Sequence, residues 1–177
     1  PANALQTGNR VGDSRLAERL RREVEGDVWF DAYNRGRYAT DASIYQIDPI
    51  GVVRAKSVGD IQAVLTLARE EGVSVLPRGG GTSQCGQTVG ESIVVDCARW
   101  FNNQMALDVK NRRVRVRPGM MLGQLNKALA KHKLFFPIDP STASRATLGG
   151  MAANNSSGAR SIKYGLTVDN IRSIDTI

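Results

Sequence analysis

The sequence predicts an α+β chain, and two observations predict it. In the first half, a strand, a helix and a second strand follow one another and empty into consecutive glycines, Gly79-Gly80-Gly81. In the second half, two alternating segments around Lys110-Asn111-Arg112 form a hairpin, followed by a helix and a second glycine-rich segment. The 177 residues suffice for a buried core, as one domain or two small lobes.

Taken in order, the first residues, through position 12, carry no periodicity. Asp13 or Ser14 caps a helix in which Leu16, Leu20 and Val24 share a face, ending near Gly26. Residues 51–56 read as a strand. Ser57 and Asp60 then resemble a capping box, with Asp in place of the usual Glu. Ile61, Val64, Leu65 and Ala68 mark the face of the helix that follows, and Gly72 stops it. Val73 to Leu76 is the next strand and Ile93 to Asp96 another; Ala106 to Val109 and Val114 to Arg117 make the hairpin. Pro118-Gly119 turns into a helix with Met121 or Leu122, Leu125 and Leu129 on one face. Thr147 caps a helix over residues 148–154, whose two early glycines should leave its first N–H groups open to an anion. Close packing is the competing reason for glycine there. Residues 171–177 alternate like a strand and stop with no turn, so the chain is expected to be a piece of something longer.

Composition narrows the function. Hydrophobic content of 41% and charged content of 23% are those of a water-soluble globular protein. Lys+Arg 24 against Asp+Glu 17 gives +7, which suits an anionic cofactor, nucleic acid or an anionic membrane surface. The basic residues are scattered and aromatics make up 6%, which gives little for stacking bases. A nucleic-acid module therefore stands as the weaker alternative. Cys85 and Cys97 have no metal-ligand spacing, and Cys97 reads as a small buried hydrophobe. No run is long and apolar enough for a signal peptide or membrane span, and a cytoplasmic setting, or the periphery of the inner membrane, is expected. His132, alone of its kind, sits between two lysines at a helix end and reads as a surface residue.

The glycine loop is the centre of the functional reading. A strand that runs into Arg78-Gly79-Gly80-Gly81-Thr82-Ser83 places free backbone N–H groups beside two hydroxyls, which suits a phosphate. It is not a P-loop, because Gln87 stands where the phosphate-binding lysine is needed. It is not the dinucleotide fingerprint either, because Gln84 takes the third glycine's place.

Three segments together resemble one family: residues 38–45 (Tyr-Ala-Thr-Asp-Ala-Ser-Ile-Tyr), residues 77–83 (Pro-Arg-Gly-Gly-Gly-Thr-Ser), and Asp139-Pro140-Ser141 through Gly149-Gly150 to Gly158 and Tyr164-Gly165. Over roughly residues 15 to 177 the chain resembles the flavin-binding domain of the p-cresol methylhydroxylase (PCMH)/vanillyl-alcohol oxidase superfamily. More narrowly, it looks like the FAD-linked oxidases and dehydrogenases of D-2-hydroxy acids: D-lactate dehydrogenase, the glycolate oxidase flavin subunit and D-2-hydroxyglutarate dehydrogenase.

The resemblance implies a two-lobed α+β domain with FAD between the lobes, truncated at its C-terminal end. Residues 1–26 would be an extension and helix, 27–85 the first lobe and 86–177 an incomplete second lobe. Arg78, Gly79, Gly80, Gly81, Thr82 and Ser83 would bind the pyrophosphate. Pro140, Ser141, Thr147, Gly149, Gly150, Asn154, Ser157 and Gly158 would line the flavin and ribityl side. Some relatives attach flavin through a histidine near the first loop; this loop has none, so non-covalent FAD is expected. The family oxidises its substrate by hydride transfer to the flavin, so the implied partners are FAD, a small 2-hydroxy acid and an electron acceptor. No catalytic or metal-binding residue is assigned here, because the family's substrate-binding groups come mostly from a later cap domain. Relatives with long N-terminal regions often continue into an iron–sulphur domain. A sugar, phenol or UDP-sugar substrate is the alternative within the superfamily.

Overall fold

The computed structural model describes Gly12, Ser14–Asn103 and Met105–Ile177. Asp13, one of the two expected caps, lies outside the described residues. The chain divides into two compact units, one up to Cys97, with Ile177, and one from Ala98 to Thr176.

In the first unit, α1 (Arg15–Glu23) starts at Ser14, whose Oγ accepts from the Ala17 N–H, and it buries Leu16, Ala17 and Leu20. Next come β1 (Asp27–Trp29), α2 (Ala32–Arg37), β2 (Gly51–Arg54), α3 (Val58–Glu70), β3 (Val75–Arg78) and β4 (Ile93–Asp96). The sheet order is β1-β2-β4-β3, with β1 antiparallel to β2 while β2 and β3 both run parallel to β4. The strand–helix–strand unit is thus present, but β4 separates its two strands. Burial accounts for the inner place of β4. Ile93, Val94 and Val95 are buried on both faces, and a two-sided apolar strand is stable only between neighbours.

β1 and α2 have no periodic signal and emerge only in the structure. β3 starts two residues later than its apolar run suggests, because Val73 closes α3 by donating to the Ala68 carbonyl (2.8 Å). At the start of α3, Ser57 Oγ accepts from the Asp60 N–H as the box predicts. The shorter Asp60 carboxylate, however, takes the Lys56 N–H (2.8 Å) and the Glu25 N–H (3.1 Å). It therefore ties the segment after α1 to α3 as well as capping.

The second unit opens with the hairpin β5 (Met105–Asp108) and β6 (Arg113–Val116), in register Met105 with Val116. α4 (Leu122–Ala130) and α5 (Leu148–Asn154) follow, then α6 (Ser161–Tyr164) and a 3-10 turn at Val168–Asn170. Met120, Leu122, Leu125, Leu129, Ile138, Ala146, Leu148 and Met151 make its core, with one face of the hairpin packed against it. Asn126 of α4 acts as a strand would: its side chain accepts from the Phe136 N–H (2.7 Å) and donates to the Phe136 carbonyl (3.4 Å). The expected strand over 171–177 is not formed. Alternation alone makes no strand without a ladder partner, and the segment is tethered instead by an exposed Arg115–Asp175 ion pair.

Candidate functional site

The three parallel strands of the first unit end level with one another, at Arg54, Asp96 and Arg78. Ligands of open α/β sheets collect at that carboxyl edge, and the glycine loop leaves it directly. The backbone N–H groups of Gly79, Gly80, Gly81, Thr82 and Ser83 donate to no group among the described residues. Ser83 Oγ accepts from the Cys85 N–H (3.2 Å) and the Gln87 N–H (3.4 Å), which leaves its own proton to give. Cys85 itself is exposed.

Arg78 does something the sequence does not reveal. Its guanidinium folds back under the loop and donates to three backbone carbonyls: Thr40 (2.7 Å), Thr88 (2.9 Å) and Tyr38 (3.4 Å). It also lies 5.3 Å from the centre of the Tyr38 ring, a cation–π contact. Gly81 sits over it with φ +63, and a Cβ there would fall 2.6 Å from Arg78 Nη2. Gly81 is therefore glycine for two reasons, its left-handed backbone and the guanidinium beneath it.

The carbonyls that hold Arg78 are themselves held. Asp41 accepts from the Ser43 N–H (2.8 Å), from Thr88 Oγ1 (3.0 Å) and from the Thr88 N–H (3.4 Å). Burial alone would raise the Asp41 carboxyl, but the bonds from Ser43 and Thr88 outweigh it and hold it below the usual carboxylate range. Tyr38 gives its phenol proton to Asp96 (2.6 Å) at the end of β4. Burial, reinforced by that bond, keeps the phenol protonated far above its ordinary range. Burial also draws the Arg78 guanidinium below its ordinary value, opposed by Tyr38, Asp41 and Asp96. Cys97, just past the strand, is half-buried rather than fully buried as expected, and its thiol is pushed up to about 11 by burial and then by Asp96.

The second glycine segment differs. Thr147 is buried and caps α5, accepting from the Gly150 N–H (3.3 Å). The Leu148 N–H goes to the Met120 carbonyl and the Gly149 N–H to the Pro118 carbonyl, both at 2.8 Å. The first-turn donors expected to be open are therefore already used, which corrects the anion reading of this helix start. A Cβ on Gly149 would lie 2.5 Å from Pro118 Cβ, so its glycine serves close packing. Gly158 is packed likewise, since a Cβ would meet the Asp139 carbonyl carbon at 2.5 Å. Asp139 in turn accepts from the Arg160 N–H (2.9 Å) and pairs with its guanidinium (3.3 Å). That ties Pro140 and Ser141 to the turn holding Ser157 and Gly158. Asn154 is exposed at the end of α5, where it donates to Ser156 Oγ (3.4 Å).

A model of the FAD binding domain matches residues 49–177, most of the chain and both glycine segments. The chain belongs to the FAD binding domain family. It is 39% identical over 156 residues to D-2-hydroxyglutarate dehydrogenase of Haemophilus influenzae, covering 86% of this chain and 15% of the relative. It is 34% identical to glycolate oxidase subunit GlcD of Bacillus subtilis, over 88% of this chain and 34% of the relative. The chain thus spans about a seventh of the dehydrogenase's length. Among solved structures, Physcomitrella patens BBE-like 1 shares the fold at TM-score 0.74 and 24% identity, over 88% of this chain and 34% of that one. The 6-hydroxy-D-nicotine oxidase of Arthrobacter nicotinovorans matches at TM-score 0.69 and 25% identity, over 82% and 32%. The α+β fold expectation agrees with these two structures.

FAD fits the first loop on physical grounds. Five N–H groups with no partner among the described residues and a free hydroxyl proton are a donor set for a dianionic pyrophosphate, with the half-buried Arg78 charge beneath them. Among the described residues no cluster of His, Cys, Asp or Glu could hold a metal, and no helix is long and apolar enough to cross a membrane.

Proposed function

We propose that this chain supplies the pyrophosphate-binding part of a flavoenzyme that oxidises a D-2-hydroxy acid, with FAD held non-covalently. The observation that carries the reading is the Gly79–Ser83 loop with its donors unspent, in a chain 36–41% identical to four D-2-hydroxyglutarate dehydrogenases. That identity makes D-2-hydroxyglutarate the substrate to test first, ahead of glycolate and D-lactate.

When bound, FAD accepts the hydride; the residues of this chain orient it. The N–H groups of residues 79–83 would hold the pyrophosphate, and the Ser83 hydroxyl would add a proton donor. The Arg78 charge beneath them offsets the phosphate charge without direct contact. Thr147, Gly149 and Gly150 contribute shape rather than hydrogen bonds, since Thr147 caps α5 and Gly149 packs on Pro118. Pro140, Ser141, Asn154, Ser157 and Gly158 stay in the reading as lining residues of the flavin and ribityl side.

The test is the visible spectrum of the intact protein after desalting, before and after D-2-hydroxyglutarate under anaerobic conditions. Flavin bands that bleach with that substrate, and not with glucose, support the reading. A protein that is colourless and takes up no added FAD removes it.

A further inference from the structure

The loop that would bind the pyrophosphate belongs to no helix or ladder, yet its five donors must converge. Five hydrogen bonds hold it in place. The β3–β4 ladder ends at the bond from the Cys97 N–H to the Arg78 carbonyl (3.1 Å). The Arg78 guanidinium then crosses from the end of β3 to the Thr88 carbonyl, beyond the glycine loop (2.9 Å). Asp41 grips Thr88 from outside through both its hydroxyl (3.0 Å) and its N–H (3.4 Å). Thr40, the residue before Asp41, gives its carbonyl to the same guanidinium (2.7 Å). Asp41, Thr88 and Arg78 thus close a ring across the base of the loop.

We propose that Asp41 and Thr88 are positioning residues for the pyrophosphate of FAD, acting through Arg78 and the shape it imposes on Gly81, without touching the cofactor. The proposal rests on reading the glycine loop as the FAD site. A loop already held in its binding shape loses less freedom when the anion arrives, so the clamp should appear in affinity. The guanidinium fork is essential to it. A lysine at 78 keeps the charge but is a single point donor, unable to reach carbonyls on both sides.

The experiment uses the intact protein, stripped of flavin and titrated with FAD by flavin fluorescence. The variants are Arg78→Lys, Thr88→Val and Thr88→Ser. Arg78→Lys should weaken FAD binding by about ten- to a hundredfold, and Thr88→Val by about tenfold. Thr88→Ser restores the hydroxyl and should bind within about twofold of wild type. At saturation the bound-flavin spectrum, and the far-UV dichroism of the flavin-free protein, should match wild type for every variant. Wild-type affinity in Arg78→Lys and Thr88→Val overturns the clamp while leaving the FAD reading standing. So does altered dichroism in Thr88→Val, or failure of serine to rescue, since the residue would then be merely structural. Absence of FAD binding by the wild-type protein itself overturns both.

Discussion

The two glycine-rich segments look alike in sequence and are built for different purposes. In residues 79–83 the glycines leave N–H groups unused and let Gly81 pass over a guanidinium. In residues 147–150 the N–H groups are already spent on Met120, Pro118 and the Thr147 cap, and Gly149 is small because Pro118 lies against it. The first segment keeps its hydrogen-bonding capacity for something else; the second uses it to hold the fold. Glycine content alone does not separate a binding loop from a packing contact. The fate of the N–H groups does.

Breaking each segment should therefore give opposite phenotypes. The largest effect is expected from Gly149→Val, which drives a branched side chain into Pro118 within the second core. It should cost about 3 kcal/mol or more of stability, seen as a large drop in melting temperature even without flavin. A normal melting temperature would show that the helix shifts freely and that the packing account is wrong.

Gly80→Val should do the reverse, retaining the fold but losing FAD. Blocking two charge-assisted bonds of about 1.5 kcal/mol each weakens binding roughly a hundredfold. Normal flavin content in that variant would remove the loop assignment.

Thr147→Ala sharpens the contrast, because it deletes a helix cap without touching the first loop. A loss of about 1 kcal/mol in chemical denaturation, with unchanged FAD affinity per folded molecule, is the expected result. Tenfold weaker FAD at full folding would make Thr147 a direct ligand instead.

The smallest effect is on pH dependence. The Asp41 carboxyl sits below its unfolded value of about 4. Its contribution is present above that pH and is lost as acid protonates it. In the folded protein Asp41 stays charged down to below about pH 4, so FAD affinity should be flat above that pH and fall only below it, and Asp41→Asn should flatten that fall. An identical acid limb in Asp41→Asn would exclude Asp41 as its source.

The sequence by itself determined the regular elements with strong patterns. Leu16, Leu20 and Val24 give α1, the Ser57 cap gives α3, alternation gives the β5–β6 hairpin, and Thr147 gives α5 to the residue. Each is local, set by side-chain period and by caps reaching three residues along the chain. It also placed the Gly79–Ser83 loop at a strand's carboxyl end, and its three motifs together pointed to the FAD binding domain family. Only the tertiary structure decided that β4 lies between β2 and β3, that 171–177 is no strand, and that Arg78 points back beneath its own loop. Those outcomes depend on partners far along the chain: Tyr38 and Thr40 for Arg78, Asp41 for Thr88, Pro118 for Gly149. Residues 38–45 have no period to read, because their work is done by carbonyls and one carboxylate facing a loop dozens of residues away. A local pattern records what a residue does for its own helix or strand. Which donors remain free for a ligand is settled only when distant segments have taken their share.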